Sequence, residues 1–194
     1  VQVDADLAVE VPSEVFRPAE DSFLLLQAVV VRPGERFLEV GAGTGLLALH
    51  AAKVAELAVA TDVNPHAVRC IRENAARNRL PVAVIRCDLL RGLRGTFDVI
   101  AFNPPYLAER IDGAWETRAW QGGATGEDVI LRFLDELPGH LADGGRCYVT
   151  LPTNRERALA EIHERFDVRA AGEKAMFFEK LLALELTMPG VSQK

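Results

Sequence analysis

Cysteine is scarce in this chain: Cys70, Cys87 and Cys147 are the only three in 194 residues, far apart and without metal-ligand spacing. An odd, scattered count excludes a disulfide frame and points to buried thiols in a reducing compartment, the cytoplasm. The four histidines are dispersed too, so no metal site is expected. Long apolar runs are missing. The longest, Leu24–Val31, is interrupted by Gln27, and no charged-then-apolar leader is legible, so no membrane span is expected. Positive charge is in the minority, 22 Lys and Arg against 28 Asp and Glu, and the net charge of -6 argues against a large nucleic-acid surface. One stretch departs from this. Arg69, Arg72, Arg77, Arg79, Arg86, Arg91 and Arg94 face only Glu73 and Asp88, as a solvated helix face or as a guide for an acidic or RNA-bearing partner.

What is present centres on Asn103-Pro104-Pro105-Tyr106, which follows the apolar run Phe97–Phe102. The run reads as a buried strand, and two prolines without N–H donors end it in a rigid turn. Such a turn offers an amide side chain, carbonyls without competing donors, and an aromatic ring. Together these can hold a planar –NH2 group, with carbonyl oxygens on its hydrogens and a ring on its face. Taken alone, the same residues also fit a surface turn.

A second feature lies upstream. Arg36–Val40 reads as a strand, Gly41-Ala42-Gly43-Thr44-Gly45 as a turn, and Leu46 to about Val54 as a helix, the opening of a nucleotide-binding βαβ unit. Leu46 replaces the third glycine of the dinucleotide fingerprint. Glu39, two residues before the turn, would repel a pyrophosphate but accept hydrogen bonds from an ammonium. A second strand, Leu57–Thr61, ends at Asp62, 21 residues after Gly41, where an acid reaches a ribose hydroxyl pair. A third, Val82–Cys87, ends at Asp88, which either accepts from an adenine amino group or caps a turn. Glu39, Asp62 and Asp88 thus form a row at the carboxyl ends of three consecutive strands, where open α/β sheets bind ligands. The row suggests a ligand built of adenosine and an amino acid.

The remaining chain alternates in the same way. Residues 1–11 alternate in an edge-strand pattern, and a helix is expected from Pro18 to about Val31 with Glu20 and Asp21 as helix-starting acids. Asn64-Pro65 opens another helix, closed by Asn78 and Pro81. Residues 107–123 form a long aperiodic loop carrying Trp115 and Trp120, followed by a helix from Thr125-Gly126-Glu127-Asp128 to Pro138-Gly139. A fifth strand covers Arg146–Leu151, and Thr153 to Glu156 is a capping box opening a helix to about Arg165. Two strands, about Asp167–Ala171 and Phe177–Thr187, close the chain as a hairpin.

These residues resemble a known family. Phe16–Phe23, Glu39–Gly45, Asp62-Val63-Asn64-Pro65, Asp88-Leu89, Asn103–Tyr106 and Ala119–Gly123 with the helix after it are similar to the class I S-adenosylmethionine-dependent methyltransferases. Within these the likeness is to the HemK-type glutamine N5-methyltransferases of translation release factors. It implies an α/β fold, a Rossmann-like, seven-stranded, mostly parallel sheet in the order 3-2-1-4-5-7-6. It implies one domain over 1–194, with 1–34 packing on the cofactor site and 35–188 as the catalytic core. By resemblance, S-adenosylmethionine is the cofactor: Ser22 and Glu39 contact its methionine end, Gly41 and Gly43 allow close approach, Asp62 takes the ribose, Asp88 the adenine, and Val63 and Leu89 flank the ring. Asn103, with Pro104, Pro105 and Tyr106, forms the catalytic clamp on the amide. With nothing before Val1 to form a helical substrate domain, the chain resembles the short archaeal and eukaryotic branch, whose members work with a small zinc-binding activator. That subunit is expected on the Val82–Cys87 sheet edge. A nucleic-acid exocyclic-amine methyltransferase is the alternative reading, followed by a non-catalytic cofactor-binding subunit and, weakest, a nicotinamide-dependent reductase.

Overall fold

The computed structural model describes residues 6–106, 126–176 and 179–190. Its sheet has seven strands in the order β3-β2-β1-β4-β5-β7-β6. β1 (Arg36–Val40), β2 (Leu57–Asp62), β3 (Val82–Arg86), β4 (Phe97–Phe102) and β5 (Leu141–Pro152) run parallel, while β7 (Lys180–Thr187) inserts antiparallel between β5 and β6 (Asp167–Ala175). This is the Rossmann-like methyltransferase order that the resemblance implies.

Both faces of the central strands are covered, which is why β1 and β4 read as near-continuous apolar runs. Alternation along β1 divides the core: Leu38 and Val40 face α4 (Asp128–Glu136) and α5 (Glu156–Arg165), among Phe102, Phe133, Ile130 and Ile162. The rings of Phe102 and Phe133 lie 4.7 Å apart. Phe37 points the other way, into a cluster with Leu25 and Leu26 of α1 (Glu20–Ala28), Leu47 of α2 (Leu46–Ala51) and Ile71 of α3 (Pro65–Asn78). Glu39 shares that second face, one pleat on, so the same periodicity that buries Phe37 carries a carboxylate under the glycine turn.

Several boundaries differ from the sequence reading, each for a local reason. The described part of the 1–11 segment is not a sheet strand. The carboxamides of α3 stand in for a partner strand instead: Asn78 bonds both backbone groups of Ala8, at 2.9 and 2.8 Å, and Asn74 both of Glu10, at 3.0 Å each. Helix α1 starts two residues later than expected and stops at Ala28. Val29 is already extended, although its N–H still reaches the Leu25 carbonyl. α2 closes at Ala51, short of Val54. The Thr153–Glu156 capping box does not form. The Thr153 hydroxyl accepts the Lys180 N–H, while Glu127 at the start of α4 supplies the acceptor for the Ala158 N–H of α5. A helix end needs an acceptor, and here a neighbouring helix provides it. α4 gives way to a 3-10 turn at Leu137–Gly139. Asn64 and Pro65 open α3 as expected, the Asn64 side chain accepting the His66 N–H at 2.9 Å. The loop bearing Trp115 and Trp120, Ala119–Gly123, Thr125 and the start of the final strand at Phe177 lie outside the described residues. Among the described residues no helix is long and apolar enough to cross a membrane.

Candidate functional site

β1, β2 and β4 end along one crest of the sheet, and a cleft opens there with about 1270 Å³ of empty space, counting the solvent at its mouth. Its wall includes every residue that the resemblance assigns to the cofactor or the clamp: Ser22, Glu39, Gly41, Gly43, Asp62, Val63, Asp88, Leu89, Asn103, Pro104, Pro105 and Tyr106. Val15, Phe16 and Pro18 close it on the side of the N-terminal segment.

The glycine turn is needed as glycine. Gly41 has a φ of +59°, and a Cβ there would stand 3.2 Å from the Phe102 ring. Gly45 has a φ of +80°, and its Cβ would collide with Ile71 Cγ2 at 2.9 Å. Below the turn, Glu39 is buried and accepts the N–H groups of Leu47 at 3.3 Å and Ala48 at 2.7 Å, at the start of α2. Burial pushes its carboxyl up to about 8; the two backbone N–H groups pull it back, and the nearby Asp62 charge adds to the rise. Asp62 accepts the Gly43 N–H at 2.9 Å and the Asn64 N–H at 2.8 Å, so it braces the turn as well as lining the cleft. Burial raises its pKa too, against those hydrogen bonds.

Asp88 is less committed to the cleft than the sequence reading expects. Its Oδ2 is paired with Arg132 of α4 at 2.5 Å and lies 3.7 Å from Arg91, and the carboxylate is half-exposed. Arg132 itself lines the cleft, a neighbour that sequence spacing had no means of placing beside Asp88. Val63 is 49% exposed and Leu89 buried, with Leu89 in a left-handed conformation at φ 54°.

The clamp turn is held on three sides. Asn103 Oδ1 accepts the hydroxyl of the fully buried Thr150 on β5, and Asn103 Nδ2 lies 3.5 Å from Ser22 Oγ. The Tyr106 phenol donates to Asp21 at 3.1 Å, and its carbonyl accepts from Arg155 at 2.7 and 3.1 Å. Burial, then the Asp21 charge, pushes the phenol's pKa up, so it stays a donor. Thr150, Arg155 and the inward role of Asp21 are absent from the sequence reading. A signal for Thr150 existed, since a threonine inside an apolar strand must find a partner. Asp21 read as a helix-starting acid; it is 5% exposed, whereas Glu20 beside it reaches outward to Lys174.

The donor set fits a cation-bearing nucleoside. A buried acid whose charge burial disfavours gains from an ammonium, and at Gly43, which lines the cleft, the missing Cβ leaves the backbone open to a ligand. Among the described residues no group of three or more His, Cys, Asp and Glu is gathered as a metal site.

Comparison with known proteins agrees with this geometry. The methyltransferase small domain family matches residues 17–177. A protein of Methanocaldococcus jannaschii carrying the name of a protein N5-glutamine methyltransferase is 43% identical over 68% of this chain and 69% of its own. The release factor glutamine methyltransferase of Deinococcus radiodurans is 37% identical over 84% of this chain, which spans 61% of that longer protein. Among solved structures, the E. cuniculi Mtq2-Trm112 complex superposes with a TM-score of 0.72 and 24% identity, over 90% of this chain and 99% of the other. The chain is therefore a methyltransferase of the small-domain family, and within it belongs with the HemK-type protein glutamine methyltransferases.

Proposed function

We propose that this chain methylates the side-chain amide nitrogen of a glutamine in a translation release factor, the glutamine of its Gly-Gly-Gln loop, with S-adenosylmethionine as donor. The observation that carries the reading is the placement of Asn103-Pro104-Pro105-Tyr106 in one cleft with Glu39 and Asp62. The names of the Methanocaldococcus and Deinococcus relatives support glutamine and release factor as the substrate class.

In this reading Glu39 holds the methionine end of the cofactor, with Ser22 lining the cleft beside it but its hydroxyl engaged by Asp21, Ala19 and Asn103; the Gly41–Gly43 backbone lies against the cofactor, Asp62 takes the ribose, and Asp88 the adenine between Val63 and Leu89. When bound, the cofactor supplies a methyl group on a sulfonium, which departs as a neutral thioether. An amide nitrogen is a poor nucleophile because its lone pair is delocalised. Asn103 Oδ1 keeps one lone pair beyond the Thr150 bond, and with the Pro104 carbonyl it accepts the two hydrogens of the incoming amide. Those acceptors turn the nitrogen lone pair toward the methyl and stabilise positive charge building on nitrogen. Tyr106 packs on the amide face, and the extra proton leaves to solvent after transfer. Asn103→Ala keeps affinity for S-adenosylhomocysteine and loses turnover by roughly two to three orders of magnitude. Unchanged kcat refutes the clamp.

The nucleic-acid alternative rested on the arginine stretch. Arg69 pairs with Glu73, Arg77 with Glu10, and Arg91 with Glu136 and Asp88, while Arg72 and Arg86 donate to the backbone carbonyls of Val84 and Val63. Much of that charge is thus engaged within the chain. For a small zinc-binding activator, the site is the open side of β3, which is an edge of the sheet with Ile85 exposed. That the similar Mtq2 fold occurs in a complex with Trm112 supports a second subunit here. Peptide mass spectrometry of a release factor after incubation with labelled cofactor, beside total RNA and DNA, tests the reading. One methyl on the glutamine supports it, and label confined to nucleic acid overturns it.

A further inference from the structure

Asn103 is useful as an acceptor only if its carboxamide points one way. A carboxamide has a donor end and an acceptor end of nearly the same shape, and a hydroxyl can donate or accept. Asn103 lies between two hydroxyls, Thr150 on β5 and Ser22 on α1. By themselves two hydroxyls accommodate either orientation. In the flipped one, the amino end takes the place of the carbonyl and meets the –NH2 of the substrate donor to donor.

The surroundings of Ser22 remove that ambiguity. Asp21 is 5% exposed, and its Oδ1 accepts the Ser22 N–H at 2.6 Å and the Ser22 hydroxyl at 3.1 Å. A carboxylate accepts and does not donate, so the single hydroxyl hydrogen of Ser22 is committed to it. One Ser22 lone pair takes the Ala19 N–H at 3.4 Å. The other is left to accept from Asn103, whose amino end must then face α1 and whose carbonyl must face Thr150. The second oxygen of Asp21 accepts the Tyr106 phenol at 3.1 Å, tying the other side of the turn to the same carboxylate.

We propose that Asp21 is a positioning residue: acting through Ser22, it sets the direction of the Asn103 carboxamide, and it anchors Tyr106 at the same time. The inference rests on the reading of Asn103 as the amide clamp. It concerns the orientation of a side chain, and its readout is kcat at saturating cofactor.

The test uses the full chain, a release factor as substrate, and calorimetry with S-adenosylhomocysteine. Asp21→Ala, which removes the acceptor that commits the Ser22 hydroxyl and so releases the direction, lowers kcat roughly 10- to 100-fold, the usual range for a partner that orients a reacting group. Affinity for S-adenosylhomocysteine stays within about threefold. Thr150→Val, at the far end of the same chain, lowers kcat similarly, and Thr150→Ser restores it. The double variant Asp21→Ala/Thr150→Val is no worse than the worse single one, because both act on one carboxamide. Should Asp21→Ala not fold, Ser22→Ala cuts the chain one link on and is read at saturating cofactor. The inference is overturned by an undiminished kcat in Asp21→Ala, by multiplying losses in the double variant, or by loss of S-adenosylhomocysteine affinity in step with kcat. If Asn103→Ala is inactive while Asp21→Ala is not, only this inference falls; if Asn103→Ala retains turnover, the clamp itself falls.

Discussion

Glu39 carries a conflict that only a ligand resolves. Its burial favours the neutral acid, while the two N–H groups of α2 and any ammonium in the cleft favour the carboxylate. With its pKa at about 8 in the folded chain and an ordinary value of 4.5 when unfolded, the folded state holds the extra proton between those limits. The stability this adds is complete below the unfolded pKa and is lost as pH rises through the folded one. The ligand-free Tm is therefore expected to fall between about pH 4.5 and about pH 8 more steeply in the wild type than in Glu39→Gln, which has no proton to lose, and the two slopes converge above that. Cofactor binding near neutral pH should also release a proton, visible as a dependence of calorimetric heat on buffer ionisation enthalpy. Equal slopes for wild type and variant count against the raised pKa. Asp62 shifts in the same direction and its charge acts on Glu39, so the difference between the two slopes reports the Glu39 proton together with that coupling.

At the scale of the elements, the sheet positions the site and side-chain pairs lock the helices to it. Arg146 on β5 is 8% exposed and forms a two-pronged pair with Glu35, at 2.9 and 2.8 Å, while also donating to the Val30 carbonyl at 2.7 Å. The pair ties the link between α1 and β1 to the middle of the sheet. Burial works against the Glu35 charge, but the Arg146 hydrogen bonds outweigh it and hold the carboxyl below its usual value. Glu35→Ala leaves the buried Arg146 guanidinium without its two-pronged partner and should cost about 3 to 5 kcal/mol in urea unfolding. A loss under about 1 kcal/mol is the contrary result. The strands were legible because apolar runs cut off by a glycine turn or by prolines have few alternatives: Arg36–Val40, before Gly41, and Phe97–Phe102, before Asn103-Pro104-Pro105, match β1 and β4 end to end. What periodicity missed was set across the fold. The 6–11 segment alternates like a strand, yet its partners are two asparagines about seventy residues away. Thr153 and Glu156 carry a capping pattern that a glutamate from another helix makes unnecessary. Asp21 and Glu20 are neighbours of the same chemistry, and only the packing of α1 decides which one turns inward. The row of acids was legible for the opposite reason, since strand ends in a parallel sheet share an edge whatever else packs around them.

Taken whole, the molecule presents one apolar strand edge at β3 and one polar edge at β6. The β6 edge is guarded by charge: Arg169 pairs with Glu185, and Lys174 with Glu20. The β3 edge has Ile85 at 41% exposed and Val63 beside the end of β2 at 49%. If this edge receives the activator, Ile85→Lys should abolish co-elution of the two proteins on size exclusion while leaving the Tm of the isolated chain nearly unchanged. Retained co-elution places the partner elsewhere. The position of β7 has a further consequence for how the protein is made. β6 leaves the ribosome before β7, yet among the described residues β7 is its only neighbour in the sheet and also the outer neighbour of β5. Until β7 emerges, the nascent chain carries an unpaired strand and an open flank on its most apolar layer. The cleft residues are all translated before that point, so the crest they line is complete on a sheet whose β5 flank stays open until β7 pairs with it.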